Sequence, residues 1–181
     1  MKSGWLAWSA LALWSAWGLA VQGAWTHQLG AGVWTPDLGV VLVIGLASRM
    51  TPERARLGAV VVALARVALT AEPVVAVLAA HLALAEFVAL LRRSIDTEER
   101  WLRTTLAGFG AGAYHLWMGA VHTARSDTPA DWTVGPLEAG LPVAVSTALL
   151  AALFGGWLRR LPGIGPLWKK EHPWGVAAHA R

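Results

Sequence analysis

An all-α membrane bundle of six transmembrane helices, with both termini in the cytoplasm, is the fold this sequence predicts. Three observations carry the prediction. The chain of 181 residues is 56% hydrophobic and only 14% charged, whereas soluble domains carry about 25% charged residues. Its mean hydropathy is +0.49. The apolar residues fall in six stretches joined by short connections. Cutting the chain at those stretches puts Lys2, Arg49, Arg54, Arg56, Arg92, Arg93, Arg100, Arg103, Arg159, Arg160, Lys169, Lys170 and Arg181 on one side, 13 of the 15 basic residues. Arg125 alone falls on the other side, and Arg66 lies within a stretch. Cytoplasmic loops of membrane proteins carry this excess of Lys and Arg.

Six spans of roughly 20 residues use about 120 residues, so no soluble domain accompanies them. The sequence divides into a six-helix membrane domain over 1–160 and a basic, Pro- and Gly-containing cytoplasmic tail over 161–181. The location implied is a bacterial inner membrane, crossed several times. The net charge of +4 points to anionic lipid headgroups, because the basic residues flank the spans. No aromatic-basic patch of the RNA-binding kind is present, so nucleic acid is not an expected partner. The absence of Cys removes disulfides, thiolate metal sites and Cys nucleophiles.

The first span covers about Trp5 to Trp25, and its length and four early Trp residues read as a retained helix rather than a cleaved signal. The second runs from Pro36 to Ala47. Pro36 suits a first turn, where its missing N–H costs little, and Asp37 suits the positive end of the helix dipole. The third span covers Leu57 to Ala71, with Thr51 and Pro52 as a cap and first-turn pair that lets the helix start earlier. Pro73 separates it from the fourth, Val74 to Leu91, so the two form an antiparallel hairpin. The fifth span is Thr104 to His122. An irregular outer connection, 123–136, leads to the sixth, Glu138 to Leu158, with Pro142 in its early turns. Trp residues near the span ends fit interfacial anchoring.

Ionisable residues inside spans are costly and mark candidate sites. Four qualify: Arg66, His81, Glu86 and His115. At about 1.5 Å per residue, Arg66 lies roughly 13 Å from the inner end of its span and Glu86 roughly 8 Å. A polar pair of Arg66 with Glu86, or with His81, is therefore expected to fix the span 3–4 hairpin. His81 and His115 lie at matching depths of roughly 16 Å. Two such imidazoles can ligate a haem iron, but hydrogen bonding between helices is the expected role, and no cofactor or metal is expected. Gly108 and Gly112 form a GxxxG pair on the fifth span. Such pairs let helices approach closely, either inside the bundle or against another protein. No nucleophile–base pair, HExxH motif or paired catalytic carboxylates stand out, so an enzyme is not expected.

The second span opens Pro36-Asp37-Leu38 and continues Gly39-Val40-Val41-Leu42-Val43-Ile44. With six spans, both ends inside and short loops, this resembles the MreD family of rod-shape-determining membrane proteins. The chain departs from the family pattern at Arg66, which stands where a third-span Asp is expected after Gly58. It departs again at Glu72-Pro73, where a Gly-Pro-Leu-Gly turn is common. The resemblance implies a non-catalytic assembly component of the peptidoglycan-elongation machinery. Its implied partners are an MreC-type scaffold and the elongation glycosyltransferase and transpeptidase. Two other classes fit the same layout: the substrate-binding membrane subunit of a vitamin transporter, with a cavity at the Trp-rich span ends, and a haem-bearing electron-transfer subunit.

Overall fold

Six α-helices make up the chain in a computed structural model that describes residues 2–28, 30, 32–97, 99–125 and 135–168. They are α1 (Lys2–Gln28), α2 (Leu38–Ala47), α3 (Pro52–Leu69), α4 (Val74–Leu91), α5 (Arg100–Arg125) and α6 (Gly135–Phe154). Short 3₁₀ turns occupy Gly32–Trp34, Trp157–Arg160 and Gly165–Trp168. No strand occurs among the described residues. The connection over 126–134, expected from the sequence to be an outer loop, and the tail beyond 168 lie outside them.

The axis of the bundle is its shortest helix. Eight of the ten α2 residues are buried: Gly39, Val40 and the run from Leu42 to Ala47. A helix apolar all round is either a core helix or a membrane span, and α3, α4 and α5 enclose this one. Both its ends are capped. Asp37 accepts a hydrogen bond from the Val40 N–H at 3.0 Å, satisfying an orphan donor of the first turn. At the other end, the Arg92 guanidinium donates to the carbonyls of Ala47, at 3.1 Å, and Met50. A cation there complements the negative end of the helix dipole.

Helix α3 starts at Pro52, with Thr51 in extended conformation before it. This is five residues earlier than the apolar stretch at Leu57. The Pro73 turn then reverses the chain into α4, with the boundaries the hydropathy pattern predicts. Helices α5 and α6 form the tightest pair. A Cβ on Gly108 would lie 3.0 Å from both the Ala144 carbonyl oxygen and the Ala148 Cβ, and one on Gly112 would lie 3.5 Å from the Ala144 Cβ. The Gly108–Gly112 face is therefore spent inside the bundle, against Gly140, Ala144 and Ala148 of α6. It is not a free face for another protein. The complementary small-residue row on α6 has the same four-residue spacing, which brings backbones together.

The sequence boundary at residue 161 falls inside packed structure. Leu161, Ile164 and Leu167 are buried at a spacing of three, and the Trp14 indole N–H donates to the Pro162 carbonyl at 3.0 Å. Gly163 adopts φ +85°, a conformation that favours glycine, and sits against Ala10 of α1.

Among the described residues, α1 (over Gly4–Gln28) and α4 are long and apolar enough to cross a membrane. The others fail that test for visible reasons. Helix α2 is about 15 Å long against a hydrocarbon thickness of about 30 Å. Helix α3 carries Glu53, Arg54, Arg56 and Arg66. Helix α5 has no charge between Arg103 and Arg125, but its glycines, Tyr114 and His115 lower its hydropathy, and the apolar part of α6, Gly140–Phe154, is short.

A buried ion cluster as the candidate functional site

The start of α2, the end of α3, the α3–α4 turn and the middle of α5 converge on one guanidinium. Arg66 is 4% exposed. Its Nη1 donates to both oxygens of Asp37, at 2.9 and 2.7 Å. Its Nε and Nη2 grip Glu72 as a fork, at 2.7 and 3.3 Å. This two-pronged geometry is what guanidinium planarity favours. The guanidinium carbon also lies 4.2 Å from the centre of the Tyr114 ring, within cation–π range. The Tyr114 hydroxyl donates to Glu72 at 3.1 Å, and Thr70 donates to the same carboxylate at 3.2 Å.

Asp37 is the centre of the network. It is fully buried. Besides the Arg66 and Val40 bonds, it has His115 Nε2 3.5 Å from its Oδ2, an ion pair when that ring is protonated. Its backbone N–H donates to the Thr147 hydroxyl at 2.8 Å, tying α6 to the same point. The next amide, of Leu38, donates to the Gln22 side chain of α1 at 2.9 Å. The Pro36-Asp37-Leu38 segment thus joins α1, α3, α5 and α6 at one end of the bundle. Gly39 makes the approach possible: a Cβ there would stand 3.3 Å from an Asp37 carboxylate oxygen, 3.4 Å from Arg66 Nη1 and 3.5 Å from His81 Nε2.

The Arg66–Glu86 pair expected from the sequence does not form. Because α3 begins at Pro52, Arg66 lies about 21 Å along it, while Glu86 is only about 8 Å from the Leu91 end of α4. The five extra residues carry Arg66 past Glu86 toward the Pro73 turn. Glu86 instead pairs with Arg56, which stands at its own depth. His81 is a neighbour of Arg66, as the Gly39 distances show. Its Nδ1 lies 2.8 Å from the Val77 carbonyl, so that nitrogen carries the proton and Nε2 faces the cluster with a lone pair. Nε2 has no hydrogen-bond partner among the described residues.

Burial pushes the Glu72 carboxyl up, but the hydrogen bond and charge of Arg66, with the Tyr114 hydroxyl, hold it below its ordinary value. With both carboxylates ionised, the Asp37–Arg66–Glu72 group carries one net negative charge. The arrangement can anchor helices, and it offers His115 a negative partner. It does not suit haem. Tyr114 packs edge-on against both imidazoles, with ring centres 5.2 Å from His81 and 5.8 Å from His115, and fills the space a porphyrin would need beside them. No group of three or more His, Cys, Asp or Glu poised for a metal occurs among the described residues.

The sequence pointed to Arg66, His81 and His115 and to Asp37 as a dipole partner. It missed Glu72 and Tyr114 as members of one site. The available signal was charge complementarity across the Pro73 turn: Glu72 follows Arg66 by six residues, at the end where Asp37 opens α2. The chain matches no protein-family model, and no curated protein or solved structure matches it.

Proposed function

We propose that the chain is a multi-pass inner-membrane assembly protein. Its six helices cross the bilayer with both termini in the cytoplasm, and it acts by holding other membrane proteins, not by catalysis. The Lys and Arg asymmetry supports the orientation. On this reading, α2 is a half-length span completed by the segment 32–37. Irregular backbone at membrane depth is tolerated when protein encloses it, and Thr35 and Asp37 are buried.

The observation that carries the assembly reading is the division between inside and outside. Asp37, Arg66 and Glu72 are turned inward and engaged with one another, while Arg125 and Glu138, at the ends of α5 and α6, are exposed. Large apolar side chains such as Leu13, Val75, Phe109, Leu141 and Leu153 point outward. Such faces offer area to lipid and to partner helices. By the resemblance of its second span to the MreD family, the partners are an MreC-type scaffold and the elongation glycosyltransferase and transpeptidase.

Two measurements test this. Reporter fusions after Trp34 and Glu72 are expected to read as periplasmic, and fusions after Glu53 and Asp96 as cytoplasmic; the reverse pattern removes the topology. Mild-detergent purification of the tagged protein from its native membrane is expected to bring down the cell-wall elongation proteins. Recovery with an ATPase and its coupling subunit would replace the assembly role with vitamin transport.

A further inference from the structure

Between α1 and the inner half of α6 lies a groove of about 420 Å³. Trp14, Trp17 and Trp25 form its α1 wall, Leu42 of α2 its floor, and Phe154 of α6 the opposite wall. Trp14 to Trp25 spans about 16 Å along the helix, and one leaflet of hydrocarbon is about 15 Å deep. The lining is apolar except at the inner end, where Arg103, only 8% exposed, enters the wall beside Gly155. Arg160 is exposed in the turn at that same end. The groove thus has an apolar length and a positive foot.

A chain-shaped molecule with an anionic head fits the groove in length and in charge. We propose that this groove holds one acyl chain of an anionic phospholipid from the cytoplasmic leaflet, with its phosphate at Arg103. The proposal rests on the membrane reading above and adds to it a lipid-selective site. It also separates this groove from a polar vitamin site, since Arg103 is the only charged residue among the described residues that line it.

Tryptophan quenching reports groove occupancy through the part that a groove-filling substitution removes. The full-length protein is reconstituted in phosphatidylcholine vesicles holding equal mole fractions of brominated-chain phosphatidylglycerol or brominated-chain phosphatidylcholine. Tryptophan fluorescence is then compared. The phosphatidylglycerol is expected to quench more strongly. Arg103→Gln is expected to reduce that preference about fivefold, the factor expected from one basic residue near a membrane surface. Gly18→Leu fills the groove from α1, where an added Cβ would be 3.9 Å from its nearest side chain, and is expected to abolish the excess while leaving the melting curve unchanged. Equal quenching by the two lipids overturns the proposal. So does an excess that survives Gly18→Leu, or a dimer that Gly18→Leu converts to monomer, which would make a second copy the occupant. Wild-type protein that fails to float with the vesicles after an alkaline wash overturns the membrane reading as well. Protein that floats without lipid preference overturns the lipid site alone.

Discussion

Helix α3 makes an ion pair near each of its ends, and the two differ in surroundings. At the Pro73 end, the outer one in the proposed topology, Arg66 joins Asp37 and Glu72 with its side chain 5% exposed. At the Pro52 end, the inner one in that topology, Arg56 meets Glu86 with side chains 51% and 43% exposed. The chemistry is the same, a guanidinium on a carboxylate. What differs is the alternative open to each group when its partner is lost. Arg56 and Glu86 reach solvent or headgroups and can exchange one set of bonds for another. Arg66 and Asp37 have no such escape, so each is held in place by the cost of leaving the other unpaired. The lesson is that the outer cluster locks the bundle because it is enclosed. The inner pair decorates it.

The comparison is broken most directly by Arg66→Gln, which strands the Asp37 carboxylate. Loss of one partner of a buried pair costs about 3–5 kcal/mol, to be read as a lowered unfolding midpoint in detergent micelles. A midpoint no lower than that of Arg56→Gln would remove the distinction. Next in size is Gly108→Leu, a disruption without charge. The added side chain must displace the Ala144 backbone, and overpacking of this kind costs about 1–3 kcal/mol. It is expected to loosen α5 from α6 and destabilise the bundle. If the variant stays fully stable and loses only a partner, the small-residue seam is not internal.

Glu72→Gln sharpens the electrostatic side. Its hydrogen bonds to Arg66 and Tyr114 are charge-assisted, and partial exposure leaves them worth about 1–2 kcal/mol. The folded-state carboxyl titrates below its ordinary value. Its contribution is therefore complete above the unfolded carboxyl range, near about 4.3, and is lost as pH falls through the folded value. The wild type and Glu72→Gln are expected to differ at pH 7 and to converge in acid. A gap that stays constant with pH would mean that Glu72 acts by packing. The smallest effect belongs to Arg56→Gln or Glu86→Gln, each of which is expected to leave the unfolding midpoint where it was. A clear loss there would show that the inner pair is enclosed by something beyond this chain.

Much of the helix layout was legible because it depends on local pattern. Val74–Leu91 is bounded by Pro73 and by the arginines that follow, and those residues alone settle the helix ends. Thr51-Pro52 announced the start of α3 by its cap chemistry. The site was only half legible. Arg66, His81 and His115 stood out because ionisable groups in apolar stretches are few. Glu72 and Tyr114 did not, since a Glu in a turn and a Tyr in a helix are ordinary residues until something is placed beside them. The Arg66–Glu86 pairing failed on depth, because apolar stretches mark where charges stop and helices continue past that point.

What the sequence by itself determined is the all-helical class, the number of helices and the reversal at Pro73. Each follows from composition, backbone chemistry or periodicity along a single stretch. Only the tertiary structure decided which carboxylates hold Arg66, which helix the Gly108–Gly112 face meets, and that α1 stands off from α6 to leave a groove. Those are matters of relative depth and rotation between helices. A shift of five residues moves a side chain by about 7.5 Å along the axis, more than the reach of a salt bridge, and nothing within one helix fixes where its neighbour begins.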